Sequence, residues 1–240
     1  MARYAFPVPV LPGKVASKVS DVYNGRQTEY EESRRQKGIT LERVSAMPTP
    51  MGEFVIVYIE SEEDFAATMP LIATSELPID RDFRAAVLDV HGVDLTQPPP
   101  PGPPPEVVGY WRDPDVAAGD RRKGIAFIAP ILPGRTEAGR EFSRQAFTER
   151  VQEHTASRRA LGVTQETVTL NSGPQGDAVC VYIEGYDPAE SNRRFAASTS
   201  AYDVWFKDQL RGILIPQVDL DQPLPPIETI WDWHRTAVTA

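Results

Sequence analysis

A single cysteine, Cys180, rules out an intrachain disulfide in these 240 residues, and with it a small disulfide-stapled secreted scaffold. Histidine is almost as scarce. His91, His154 and His234 lie far apart and show no HxH or HExxH spacing, which disfavours a metal site. No run approaches the ~18 apolar residues of a membrane-spanning helix. The start Met1-Ala2-Arg3-Tyr4 lacks the apolar run of a signal peptide, so a cytoplasmic location is the default expectation. Positive charge is in deficit: 25 Lys and Arg against 34 Asp and Glu give a net charge of −9. No basic stripe is visible, which argues against a nucleic-acid partner. P-loop, GxGxxG and GxSxG patterns are all missing.

What the chain does have is itself, twice. Phe6 to Lys14 (FPVPVLPGK) returns as Phe127 to Arg135 (FIAPILPGR). Ser33-Arg34-Arg35 and Gly38-Ile39-Thr40 return as Ser157-Arg158-Arg159 and Gly162-Val163-Thr164. Val57 to Glu60 (VYIE) repeats as Val181 to Glu184, and Asp80 and Phe83 as Asp203 and Phe206. Val93-Asp94-Leu95 repeats as Val218-Asp219-Leu220, and Glu106, Val108 and Trp111 as Glu228, Ile230 and Trp233. The matches run in one order from end to end, so the chain is a tandem duplication. Copies of this length are too long for solenoid units and suggest a fused homodimer. The expected division is a first repeat over 1–112, a polar linker over 113–123 and a second repeat over 124–240.

Within a copy, Tyr4 to Leu11 reads as a strand, with Pro7 and Pro9 marking an edge. Lys14 to Lys37 reads as one long amphipathic helix stopped by Gly38. Ile39 to Ala46 and Glu53 to Glu60 read as a hairpin, Glu62 to Ala73 and Arg81 to His91 as helices, and Glu106 to Trp111 as a last strand. The order is βαββαβ, the ferredoxin-like arrangement. A sheet with helices on one face leaves the other bare. The strand Phe54 to Ile59 is apolar on both faces, as expected if two copies bury those faces together. The predicted class is α+β: tandem ferredoxin-like repeats forming an intrachain pseudo-dimeric α/β barrel.

On these features the chain resembles the dimeric α/β-barrel superfamily. The motifs are Leu11 to Lys14, Ser33 to Thr40, Thr49 to Gly52 (TPMG) and His91 to Leu95 (HGVDL). They are most similar to those of uncharacterised bacterial proteins related to antibiotic-biosynthesis monooxygenases and stress-responsive barrel proteins. The resemblance implies a small-molecule cavity between sheet and helices in each half. It points to a cofactor-independent monooxygenase or cyclase-like enzyme acting on an aromatic or polyketide-like compound. The cyclases of this superfamily use a histidine with a strand tyrosine, which nominates Tyr58 and His91 as an acid–base pair.

Arg34 and Arg158, each four residues after Tyr30 or His154 on one helix face, are candidate ligand anchors. Tyr182, the equivalent of Tyr58, and Trp205 complete the ligand-binding set. Competing readings stay open: packed tyrosines, arginines serving helix ends, a non-catalytic ligand-binding or structural pseudo-dimer, and a haem-associated barrel, since one histidine suffices as an iron ligand. The expected partner is a small hydrophobic or aromatic molecule. No cofactor or metal is expected, and a further homodimer is compatible with the pattern. Trp111 lies in one copy and Trp205, Trp231 and Trp233 in the other, so the two cavities are expected to differ, and the residues the copies do not share are the places to look for a site.

Overall fold

A computed structural model of the protein describes residues 1–98, 102–117, 119–174 and 176–235. The stretch of the proline run at 99–101 and the C-terminal residues 236–240 lie outside these.

The elements follow the duplicated order. The first copy gives β1 (Ala2–Pro9), α1 (Lys18–Asp21), α2 (Gln27–Gln36), β2 (Ile39–Thr49), β3 (Gly52–Ser61), α3 (Phe65–Ala73), α4 (Pro78–His91) and β4 (Glu106–Arg112). The second gives β5 (Lys123–Pro130), α5 (Thr136–Arg144), a π-helical turn (Gln145–Glu149), α6 (Val151–Leu161), β6 (Val163–Gly173), β7 (Gly176–Gly185), α7 (Pro188–Ala197), α8 (Ala201–Arg211) and β8 (Glu228–His234).

The single long helix expected over Lys14 to Lys37 is instead two. Gly25 adopts φ +73°, a left-handed conformation that interrupts the helix between α1 and α2. Gly92, at φ +68°, ends α4 directly after His91.

The strands form two four-stranded antiparallel sheets, in the orders β1-β3-β2-β8 and β4-β6-β7-β5. Each sheet holds three strands of one copy and the last strand of the other. β8 pairs with β2, Glu42 opposite Trp233, and β4 pairs with β6, Tyr110 opposite Thr167. The copies in sequence and the sheets in space therefore do not coincide. We call β1-β3-β2-β8 with α1–α4 the first half, and β4-β6-β7-β5 with α5–α8 the second.

The bare faces meet as expected. Ile56, Tyr58, Ile128, Cys180 and Tyr182 belong to one buried cluster between the sheets. Equivalent hydroxyls clamp the halves together: Ala5 N donates to Thr169 Oγ1 at 3.1 Å, and Ala126 N to Ser45 Oγ at 3.0 Å. A buried ionic network closes one end. Arg43 reaches Glu184 at 3.0 Å and the Tyr182 hydroxyl, and Arg121 of the connecting segment pairs with Glu60 at 2.9 Å and Glu184 at 3.0 Å. No helix among the described residues is long and apolar enough to cross a membrane.

Candidate ligand chamber

The space between sheet and helices has opposite fates in the two halves. In the first it is filled by rings. Tyr23 lies 4.6 Å from Tyr30 and 4.9 Å from Trp231, and Tyr30 lies 5.0 Å from Trp231 and 5.4 Å from Trp233. Both tryptophans arrive on β8, so the strand exchange carries aromatics of the second copy into the first half. In the second half the same layer encloses a cavity of about 580 Å³, the size of a small-molecule site.

The register explains the difference. Trp111 and Trp233 are equivalent, so Gly109 stands where Trp231 stands. A Cβ added at Gly109 would lie 2.5 Å from the Phe147 ring. The glycine lets Phe147 lie flat against β4. Phe147 is the counterpart of Tyr23: it sits 4.6 Å from His154, as Tyr23 does from Tyr30.

Phe142, Phe195, Phe206, Leu161 and Val181 give the chamber apolar walls. Exposed residues of two segments mark its mouth: Pro50 and Met51 at the β2–β3 hairpin tip, and Gln217, Asp219 and Gln222 in the segment before β8. The hairpin residues Met47 to Met51 are the first half's contribution to the lining.

Arg158 and Glu166 are the charged groups at the buried end. Arg158 Nε bonds Glu166 Oε2, and Arg158 Nη2 donates to Glu166 Oε1 at 3.3 Å. Burial opposes ionisation of Glu166, but the charge and hydrogen bonds of Arg158 outweigh it and hold the carboxyl down to about 2. The first half has the same pair, Arg34 with Glu42, plus one more contact: Arg34 Nη2 donates to the Tyr23 hydroxyl at 2.9 Å. Phe147 offers no such oxygen. One N–H of Arg158 Nη2 is thereby left without an acceptor among the described residues, beside the cavity.

Behind Glu166 lies His154, fully buried. Its Nδ1 is 2.9 Å from the Tyr202 hydroxyl. Its Nε2 is 3.4 Å from Glu166 Oε2 and has no hydrogen-bond partner among the described residues. Burial, then the charge of Arg158, lower its pKa, so the imidazole is neutral near neutral pH.

Of the six residues singled out in the sequence, Arg158 alone lines this chamber. Arg34 is buried among Glu42, Tyr23 and Ser33 in the filled half. Tyr58 and Tyr182 stack on each other between the sheets, centroids 3.7 Å apart and planes within 7°. Their hydroxyls bond Glu60 and Glu184, each at 2.8 Å.

His91 is not brought to Tyr58. It ends α4, a helix layered on the other side of the first sheet, and its Nδ1 lies 2.9 Å from the Pro9 carbonyl. Trp205 packs outside the cavity, with Arg150 3.9 Å above its ring. Glu166, His154 and Phe147 were missed as site residues, and so was the role of Gly109. None of the three histidines lines the chamber, so it presents no axial imidazole to a haem. Among the described residues no group of His, Cys, Asp and Glu is arranged to hold a metal ion.

No protein-family model matches the chain, and no curated protein matches it in sequence. Solved structures do match in fold. One described as an anthrone oxidase-like protein is 10% identical, with a TM-score of 0.52 over 99% of this chain and 95% of its own. Another, described as a "putative monooxygenase" from Lactobacillus acidophilus NCFM, is 12% identical, with a TM-score of 0.50 over 98% of this chain and 100% of its own. Two exchanged-strand antiparallel sheets packed face to face, with helices outside, together with these likenesses over nearly the whole chain, give the protein the dimeric α/β-barrel fold, built here as a pseudo-dimer from a single chain.

Proposed function

We propose that the second half is a binding and reaction chamber for one flat, largely apolar molecule, an anthrone-like or polyketide-like polycycle, and that the protein is a monooxygenase-type enzyme with one working half. The observation that carries this is the apolar cavity of about 580 Å³ with a guanidinium N–H at its buried end that has no acceptor among the described residues. A phenolic or keto oxygen on the ligand supplies that acceptor, and the Phe-rich walls suit the fused rings. A fold shared with an anthrone oxidase-like protein supports the reaction class.

In that reaction an activated ring CH2 gives up a proton to form an enolate. The enolate reduces dioxygen, one oxygen atom stays as the new carbonyl, and the other leaves as water. The electrons come from the substrate, so the residues need only bind, orient and move protons.

The test combines calorimetry with oxygen uptake, using anthrone as the probe. Expected are one anthrone bound per chain, oxygen consumption with anthraquinone formed, and loss of both in Gly109→Trp, which rebuilds the filled half's ring. Tight binding without oxygen uptake would instead mark a ligand carrier. No binding, or binding unaffected by Gly109→Trp, would sink the chamber assignment.

A further inference from the structure

The two buried ionic clusters differ by one positive charge. In the first half two cations face two carboxylates: Arg34 with Glu42, and Lys37 with Asp80 at 2.6 Å. In the second half Leu161 stands in the place of Lys37, just before the matching Gly38 and Gly162. Arg158 is then the cation for both Glu166 and Asp203, the latter 4.0 Å away and otherwise held by Ser157, Ser198 and Ser200.

Two other positions change with it. Tyr30, whose hydroxyl bonds Glu42 at 2.8 Å, becomes His154, and Ile79 becomes Tyr202. The half with one fixed cation fewer thus has a titratable ring and a hydroxyl beside it. If Nδ1 carries its proton towards the Tyr202 hydroxyl, Nε2 presents a lone pair to Glu166 Oε2 across 3.4 Å. Two acceptors facing each other in a buried place leave room for one proton.

We propose that His154 is the terminal proton acceptor of the chamber, reached through Glu166. The inference rests on the reading that the chamber binds an enolisable aromatic. The substrate's C–H or O–H bond breaks and its electron pair stays on the substrate as an enolate or phenolate, held by the Arg158 N–H. The proton passes to the Glu166 carboxylate that lines the cavity and on to His154 Nε2. The resulting imidazolium supplies the missing cation, so Arg158 and His154 balance Glu166 and Asp203.

Every group around the ring fits this account. Arg158 shares its helix. Glu166 faces it from β6, Tyr202 and Asp203 from α8, and the Trp111 and Phe147 rings keep water away. Arg150 stands over the Tyr202 ring at 5.2 Å. Glu166 contacts the substrate and is the catalytic residue. His154 acts through it.

Histidine-selective 15N NMR of the full chain tests this, because only three rings contribute signals. His154→Tyr, which installs the first half's own residue, assigns the His154 signal. Expected is a neutral His154 in the free protein and an imidazolium when anthrone is bound at neutral pH. His154→Tyr should bind anthrone more weakly at neutral pH and lose most of its turnover, and the pH at which bound anthrone turns to its coloured enolate should rise. A His154 signal that stays neutral while the bound probe is ionised overturns the proposal and leaves the chamber intact. Failure of anthrone to bind the parent protein overturns both.

Discussion

Glu166 keeps its charge in a buried site because Arg158 is against it, and that arrangement has a pH signature. Its carboxyl is held at about 2 instead of its usual 4.5. A carboxylate with a lowered pKa in the folded state adds stability that is fully present above the ordinary value and lost as pH falls towards the folded one. The wild-type chain should therefore lose on the order of 3 kcal/mol relative to Glu166→Gln as pH falls through that window. Urea unfolding of both proteins at stepped pH measures it, and an unchanged gap would show that Glu166 is not held as a paired carboxylate.

The sequence held the means to find this group. Once the copies are aligned, the mismatched pairs Tyr23 with Phe147, Tyr30 with His154, Ile79 with Tyr202, and Trp231 with Gly109 stand beside the matched Ser-Arg-Arg motif. His91, an unshared residue too, drew attention instead, but it sits at the end of α4 with its Nδ1 against the Pro9 carbonyl, away from the chamber. Which unshared residues converge in space depends on packing, which no spacing rule expresses.

At the scale of elements, the repeat order, the hairpins and the doubly apolar β3 were all legible, because periodicity and turn residues are local signals. The exchange of β4 and β8 was not. A last strand with alternating residues reads the same whichever sheet receives it. Its destination is set by the open edge of β2 or β6, far away in sequence. The exchange makes a definite prediction. Ending the chain before Glu228 removes β8 and should abolish amide-exchange protection at those residues of β2 between Leu41 and Ala46 whose N–H groups face β8, while those facing β3 and the whole of β6 keep theirs. Loss of protection in β6 instead would contradict the pairing. The same truncation takes Trp231 and Trp233 with it and so hollows the first half rather than the second.

For the whole molecule, the duplication and the two-sided apolar strand already implied face-to-face sheets, and the cluster built on Tyr58 and Tyr182 is that contact. It follows that one copy should not stand by itself. Residues 1–112 alone would expose Ile56 and Tyr58, leave β4 without a partner, and lack a strand on the outer edge of β2. We expect such a fragment to show no stable monomer and to gain structure only with rising concentration, by exchanging β4 between two copies. Sedimentation with circular dichroism across a dilution series checks this; a cooperative, concentration-independent monomer would count against it.

The exchanged strands also bear on how such a protein can change over generations. In a symmetric dimer made from one gene, any substitution lands in both chambers at once, so neither site can be given up without the other. Joining the copies removes that constraint, and crossing the strands redistributes it. The bulk that closes the first half is encoded at the far end of the gene, at Trp231 and Trp233, and the gap that opens the second is encoded before the midpoint, at Gly109. Each coding half thus governs the shape of the other's interior. Inheriting a mismatched partner segment, by recombination near the junction, would alter the distant chamber while leaving the local one untouched.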